Sequence, residues 1–156
     1  MLPDDLENKI INQDWKGLQI KAVEEGRGVF ACKDFKKNEP ICNYGGIFMN
    51  HDCAKKNFLP YDEKCDYLLE INQKFEGEYT KFYLNHDNST ETFGKYLNHS
   101  KIHPNLSFKI YSTKNNKLDV IFIAKKKILA GSQLLWDYGK SYSGVNACVK
   151  SCSKCP

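Results

Sequence analysis

Apolar residues at Leu6, Ile10 and Ile11 recur at a near-helical spacing, and Asp4 and Asp5 suit the first turn of a helix, so residues 4–14 are predicted helical. After that the pattern shortens. Residues 18–23 (LQIKAV) alternate with a period of two, and 29–35 and 41–49 are apolar and aromatic runs bounded by Gly, Asn and Pro. Further strands are expected at 66–71, 80–84, 106–111 and 118–124, a short helix at 51–58, and turns at Gly77 and 114–117. There is no internal repeat and no linker long enough to divide the body. Many short strands with little helix predict a mainly β fold.

Composition narrows the class. The 156 residues are 41% apolar and 27% charged, which describes a globular chain rather than a disordered one. The net charge of +4 tolerates an acidic partner without demanding one. No apolar run approaches the roughly 20 residues of a membrane-spanning helix. The start MLPDDLENKI places acids where a secretory signal carries Lys or Arg, so an intracellular protein is expected. Accordingly, the sequons at Asn88, Asn98 and Asn105 are read as chance. Seven cysteines cannot all pair internally. Cys32, Cys42, Cys53 and Cys65 look like buried free thiols, while Cys148, Cys152 and Cys155 cluster near the C-terminus.

Several chemistries are excluded by pattern. Gly26-Arg27-Gly28 is followed by a strand-like run rather than the helix that a dinucleotide fingerprint needs, and there is no P-loop, His-Glu-x-x-His or Gly-x-Ser-x-Gly. Four short segments remain: Glu25-Gly26-Arg27-Gly28-Val29-Phe30-Ala31, Tyr44-Gly45-Gly46, Phe93-Gly94-Lys95-Tyr96-Leu97-Asn98-His99-Ser100, and Gly131-Ser132-Gln133-Leu134-Leu135-Trp136-Asp137-Tyr138-Gly139. Each alone is a commonplace turn or strand end. Their order and spacing together carry the information, with 72 residues from Gly26 to Asn98 and 40 from Asn98 to Tyr138.

That conjunction resembles the SET-domain protein lysine methyltransferases, most closely the branch that methylates a nucleosomal histone tail and lacks a pre-SET zinc cluster. The resemblance implies a mainly β SET-domain fold (β-clip, knot-like) of short strands with a few short helices. It implies a helical flank at 1–16, a SET domain at 17–139 and a cysteine-containing tail at 140–156. The implied methyl donor is S-adenosylmethionine, held by Glu25, Gly26, Arg27, Gly28, Tyr67, Asn98 and His99. Glycine suits such a loop because a missing Cβ lets backbone approach a ligand, and the Asn98 amide can both donate and accept.

The implied reaction is in-line displacement by a neutral lysine amine. Free lysine has a pKa of roughly 10.4, so the amine must lose a proton, which desolvation in an aromatic channel beside a cation favours. Tyr138 is the implied catalytic tyrosine, Tyr44 lines the lysine channel from the other side, and Trp136 lines and narrows it. Two departures stand out. Glu25 replaces a basic residue, and Trp136 replaces the family's Tyr or Phe, so mono-, di- and trimethylation all remain open.

Lys101 stands where zinc-binding relatives place a Cys, which leaves Cys148, Cys152 and Cys155 as three candidate zinc ligands without a fourth. A reduced, metal-free tail is the preferred reading. Asp62, Glu63, Asp66 and Glu70 form a candidate acidic rim for a basic substrate, against the alternative of a solvated face. Lys125-Lys126-Lys127 is read as a surface turn, with DNA phosphates as the alternative contact. Expected partners are a histone tail or other lysine-bearing protein and the nucleosome, with no membrane. The expected state is a monomer, in the nucleus on chromosomes and also in the cytoplasm. Two competing readings stay open here: a catalytically inactive SET domain that binds a peptide or partner, and a small zinc-linked interaction domain.

Overall fold

The computed structural model describes residues 3–24, 26–53, 67–86 and 91–138, with only the backbone of Tyr67 and Leu68. Helix α1 (Asp4–Asn12) forms where the spacing predicts it, with Asp4, Asp5 and Glu7 in its first turn, where the helix dipole favours acids. Gln13 ends it in the left-handed region, and Leu6 and Ile10 pack on the core. No helix among the described residues is long and apolar enough to cross a membrane.

Among the described residues, ten strands make three sheets. The first is an antiparallel hairpin of β1 (Leu18–Val23) and β2 (Gly26–Ala31), in which Leu18 faces Ala31 and Val23 faces Gly26. The strand expected to begin at 29 thus begins at Gly26, because the Gly-Arg-Gly backbone finds its ladder partners on β1. The alternation in β1 does not yield a buried face. Gln19, Ile20, Lys21 and Ala22 are all exposed, since β1 is an outer strand and Val29 and Ala31 of β2 carry the contact to the core.

The run expected as one strand at 41–49 is two. β3 (Pro40–Asn43) and β4 (Ile47–Asn50) belong to different sheets, and between them Gly45 and Gly46 take φ of 75° and 86°. An added Cβ at Gly46 would lie 2.7 Å from the Asn85 carbonyl oxygen, so this bend admits no side chain there. The helix expected at 51–58 is seen over residues 51–53, and its remainder lies outside the described residues.

β5 (Tyr67–Phe75) and β6 (Glu78–His86) form a nine-residue hairpin through Glu76-Gly77, and β4 pairs with the far edge of β6. Both turn residues have positive φ, the geometry whose twist matches the flanking strands. The third sheet, in the order β3-β9-β8-β10-β7, contains β7 (Asn98–His99), β8 (Leu106–Ser112), β9 (Leu118–Ala124) and β10 (Leu135–Trp136). β9 is buried from Asp119 through Ala124, as its near-continuous apolar run requires. The turn expected at 114–117 joins β8 to β9, with Asn116 at φ 57°.

One core draws on all three sheets. Ile41, Phe82, Leu84, Phe122 and Leu134 are fully enclosed in it, each stabilising the fold by about 1.5–3 kcal/mol relative to exposure. Of the thiols expected to be buried, Cys42 is, and burial pushes its pKa up. Cys32 and Cys53 are exposed: Cys32 follows β2, and Cys53 lies beyond β4, where no core face is available to them. Cys65 lies outside the described residues.

Candidate active site

The shortest strands among the described residues, β7 and β10, carry the candidate residues Asn98, His99 and Trp136. β7 and β10 are two residues each and run parallel, with Asn98 beside Leu135 and His99 beside Trp136. Residues about 40 apart in sequence are thereby fixed in register. Asn105 holds this junction: its side chain donates to the Gln133 carbonyl and accepts the Leu135 N–H, both at 2.8 Å, and its own N–H donates to the Leu135 carbonyl at 3.0 Å. Asn105 is 8% exposed, so both side-chain bonds are made away from bulk water.

From this junction the candidate residues converge. The Asn98 amide donates to the Arg27 carbonyl at 3.0 Å, tying β7 to the hairpin. Gly28 lies directly beneath, where a Cβ would come within 2.7 Å of Gln133 Nε2 and 3.2 Å of Asn98 Nδ2. His99 Nδ1 accepts the Tyr138 N–H at 3.0 Å, which places the proton of a neutral ring on Nε2. The His99 and Tyr138 rings stand 4.7 Å apart, and the Tyr138 hydroxyl donates to the Leu97 carbonyl at 3.0 Å. Trp136 packs against Tyr138 at 4.5 Å, Phe122 at 5.0 Å and Phe108 at 5.6 Å. It is buried, and its Nε1 donor finds no acceptor among the described residues.

The Arg27 side chain turns elsewhere. It donates to the Tyr96 hydroxyl at 3.3 Å, and that hydroxyl donates to Glu91 at 2.9 Å. The Tyr96 bond, with help from Lys95 and Arg27, holds the Glu91 carboxyl below its usual range, while burial raises the Tyr96 hydroxyl. With the side chain so engaged, Arg27 contributes its backbone to the Asn98 contact.

Tyr44 sits in a second network. Its ring meets His86 edge-on at 4.8 Å, and its carbonyl accepts from His86 Nε2 and Thr92 Oγ1, each at 2.7 Å. The Gly45 N–H that follows donates to Asp119 at 3.0 Å. Asp119 also accepts from the Val120 N–H and the Tyr111 hydroxyl at 2.7 Å and from the Asn43 amide at 3.0 Å. Burial pushes the Asp119 carboxyl up against the pull of those four donors, and it raises the Tyr111 hydroxyl as well. Asn43 Oδ1 in turn accepts from Trp15 Nε1 at 3.2 Å and Gln13 Nε2 at 3.0 Å, which docks the N-terminal flank on the same cluster.

The structure therefore brings Gly26, Arg27, Gly28, Asn98, His99, Trp136 and Tyr138 into one neighbourhood. Tyr67 is described by its backbone, opposite His86 in the β5–β6 register, which places it on the strand beside the Tyr44 network. Glu25, Cys148, Cys152 and Cys155 lie outside the described residues, as do Asp62, Glu63 and Asp66 of the expected acidic rim. Glu70 does not behave as a solvated rim residue. Its side chain is 5% exposed and pairs at 3.4 Å with Lys81, whose own side chain is 38% exposed. Among the described residues no cluster of three or more His, Cys, Asp or Glu could hold a metal.

Asp119, Asn43 and Asn105 escape the sequence reading. Asp119 had a visible signal, a lone acid at the head of an apolar strand, whereas Asn105 was legible only as part of a chance sequon. The residues present fit the amino-acid end of S-adenosylmethionine: β2 is bare of side chains at Gly26 and Gly28, and the Asn98 carboxamide beside it is a neutral donor and acceptor.

Comparison with known proteins identifies the family. The SET-domain family profile matches residues 26–139. The histone-lysine N-methyltransferase set-1 of Caenorhabditis elegans is 30% identical over 124 residues, covering 76% of this chain and 48% of that protein. The N-lysine methyltransferase KMT5A of Xenopus tropicalis is 29% identical over 131 residues, covering 80% of this chain and 36% of that protein. This chain thus spans less than half the length of either relative. A crystal structure of CpSET8 from Cryptosporidium superposes with a TM-score of 0.67 over 88% of this chain and 67% of that chain, at 21% identity. The parallel β7–β10 junction and the profile that spans it lead to one conclusion: this chain belongs to the SET-domain family.

Proposed function

We propose that this chain transfers methyl groups from S-adenosylmethionine to a lysine amine of a protein substrate, and that a histone tail is that substrate. The observation that carries the reading is the β7–β10 register, which holds Asn98 and His99 against Trp136 and Tyr138. When bound, S-adenosylmethionine supplies an electrophilic methyl on a sulfonium. Gly26, Arg27 and Gly28 would meet its amino-acid end through backbone, with Glu25 beside them. The Asn98 amide would bind its polar groups, His99 would contact the adenine largely through main chain, and Tyr67 would touch it from β5.

Tyr138 is the residue proposed to orient the reacting amine. Its ring is fixed by His99 and Trp136, and its hydroxyl by the Leu97 carbonyl. Such prior fixing is how positioning lowers a barrier, by up to roughly 7–11 kcal/mol for a bimolecular reaction. Tyr44 would face the lysine from the far wall. Aromatic walls desolvate the amine and favour its neutral, nucleophilic form. Trp136 would narrow the channel by bulk, since indole carries a donor but no hydroxyl. A chromatin location in the nucleus and action as a monomer complete the proposal.

The test is a radiolabelled methyl-transfer assay on core histones and nucleosomes, with Tyr138→Phe beside the wild type. Label on a histone, lost in Tyr138→Phe while donor binding persists, is the expected result. Full activity in Tyr138→Phe would remove the hydroxyl from the mechanism, and donor binding with no transfer to any tail would favour an inactive binding module.

A further inference from the structure

Two lysine clusters far apart in sequence form one surface. Residues 33–39 (KDFKKNE) and 124–130 (AKKKILA) lie side by side. Phe35 and Ile128 exchange backbone hydrogen bonds at 2.8 and 2.9 Å, the Asn38 N–H donates to the Ala124 carbonyl at 2.8 Å, and the Ala124 N–H donates to the Glu39 carbonyl at 3.0 Å. The Asp34 carboxylate accepts the Ala130 N–H at 2.9 Å and closes the other end. Phe35 and Ile128 point inward and are buried at 2% exposure each, which turns Lys36, Lys37, Lys125, Lys126 and Lys127 outward.

The charge on this platform is concentrated. Its two segments hold six lysines against two acids, a net +4 that equals the formal charge of the whole chain. Both acids are engaged: Asp34 by the Ala130 N–H, and Glu39 by Lys33 at 3.0 Å and the Lys36 N–H at 2.9 Å. Lys33 is thereby occupied, and it also lies 4.6 Å over the Phe35 ring. The other five lysines are exposed and make no ion pair among the described residues.

We propose that these two turns are a binding surface for the phosphate backbone of duplex DNA. Charge complementarity supplies the attraction, and the cross-strand hydrogen bonds supply rigidity, so little order must be gained on binding. The composition of the face selects the occupant. Single-stranded nucleic acid is held by exposed aromatic platforms on which bases stack, and the aromatic here, Phe35, is buried beneath the lysines. A basic histone tail would be repelled from it, so the surface is separate from the substrate groove. It is nonetheless coupled to the site by backbone, since the Lys125 N–H donates at 2.8 Å to the carbonyl of Asn105, the residue that clamps Leu135. As the choice of DNA rests on the chromatin reading above, its test is independent of methyl transfer.

Fluorescence anisotropy of the full chain with a labelled 20-base-pair duplex, titrated from 50 to 200 mM salt, reads the surface directly. If each of the five lysines engages one phosphate, affinity falls by about 500-fold across that range. In the triple variant Lys125→Gln, Lys126→Gln, Lys127→Gln it falls by only about 12-fold, from a weaker start. The double variant Lys36→Gln, Lys37→Gln weakens binding in parallel, and neither variant alters transfer to a free histone peptide. Variants that bind duplex as tightly as the wild type, or a wild type that prefers single-stranded RNA or anionic vesicles to duplex, would overturn the proposal. Lysine-dependent duplex binding by a chain that methylates nothing would uphold it while removing the methyltransferase reading.

Discussion

Asp119→Ala removes the acceptor of four buried hydrogen bonds, orphaning the Gly45 and Val120 N–H groups and leaving the Asn43 amide and the Tyr111 hydroxyl only each other. A buried donor left unsatisfied costs about 1–3 kcal/mol. The hydroxyl can rotate and water can enter the vacated volume, so the full sum is not reached, and the expected loss is about 4 kcal/mol, near the upper end for one substitution. Asp119→Asn is milder. Its remaining carbonyl oxygen can serve Gly45 and Val120, and the Tyr111 hydroxyl can rotate to accept from the new amide. Only Asn43 Nδ2 then faces a donor. Asn43 cannot flip to relieve the conflict, because its Oδ1 already accepts from Trp15 and Gln13. The expected loss is about 1–2 kcal/mol.

Equilibrium unfolding in guanidinium chloride measures both variants. The bend from Tyr44 to Gly46 hangs on Asp119 through Gly45, so Asp119→Ala, which removes that acceptor, should also lower kcat more than donor affinity, because Tyr44 lies away from the Asn98 contacts. Stabilities of both variants within about 0.5 kcal/mol of the wild type, the range of ordinary surface substitutions, would refute the description of Asp119 as the anchor of this bend.

Gly28→Ala drives a Cβ into the carboxamides of Gln133 and Asn98. Isothermal titration with S-adenosylmethionine should show donor affinity reduced by about tenfold or more, for a stability loss of about 1–3 kcal/mol from overpacking. Asn105→Ala orphans the Gln133 carbonyl and the Leu135 N–H, and should cost about 2–4 kcal/mol in denaturant unfolding. Trp136→Phe removes a buried donor that has no acceptor among the described residues and opens the space beside Tyr138. Mass spectrometry of a methylated peptide should show a higher methyl count for this variant, and an unchanged count would exclude Trp136 from setting it.

The sequence by itself settled what local chemistry can settle. Residues 4–14 announced a helix through the spacing of Leu6 and Ile10. The run from Leu118 to Ala124 announced a buried strand, and the four glycine- and tyrosine-bearing segments announced a family through their order. The boundaries that failed did so for one reason. A strand ends where its ladder partners end, and neither the start of β2 at Gly26 nor the division of 41–49 into strands of two sheets is encoded in the apolar pattern of that stretch alone. Only the tertiary structure decided that two pairs of residues, Asn98-His99 and Leu135-Trp136, would run parallel. Only it turned Asn105 from an apparent sequon into the clamp of that junction, and brought Lys36 and Lys37 beside Lys125. These are contacts across 30 to 90 residues, created when hydrogen bonds between distant strands are satisfied in a shared core, and periodicity over a few residues carries no record of them.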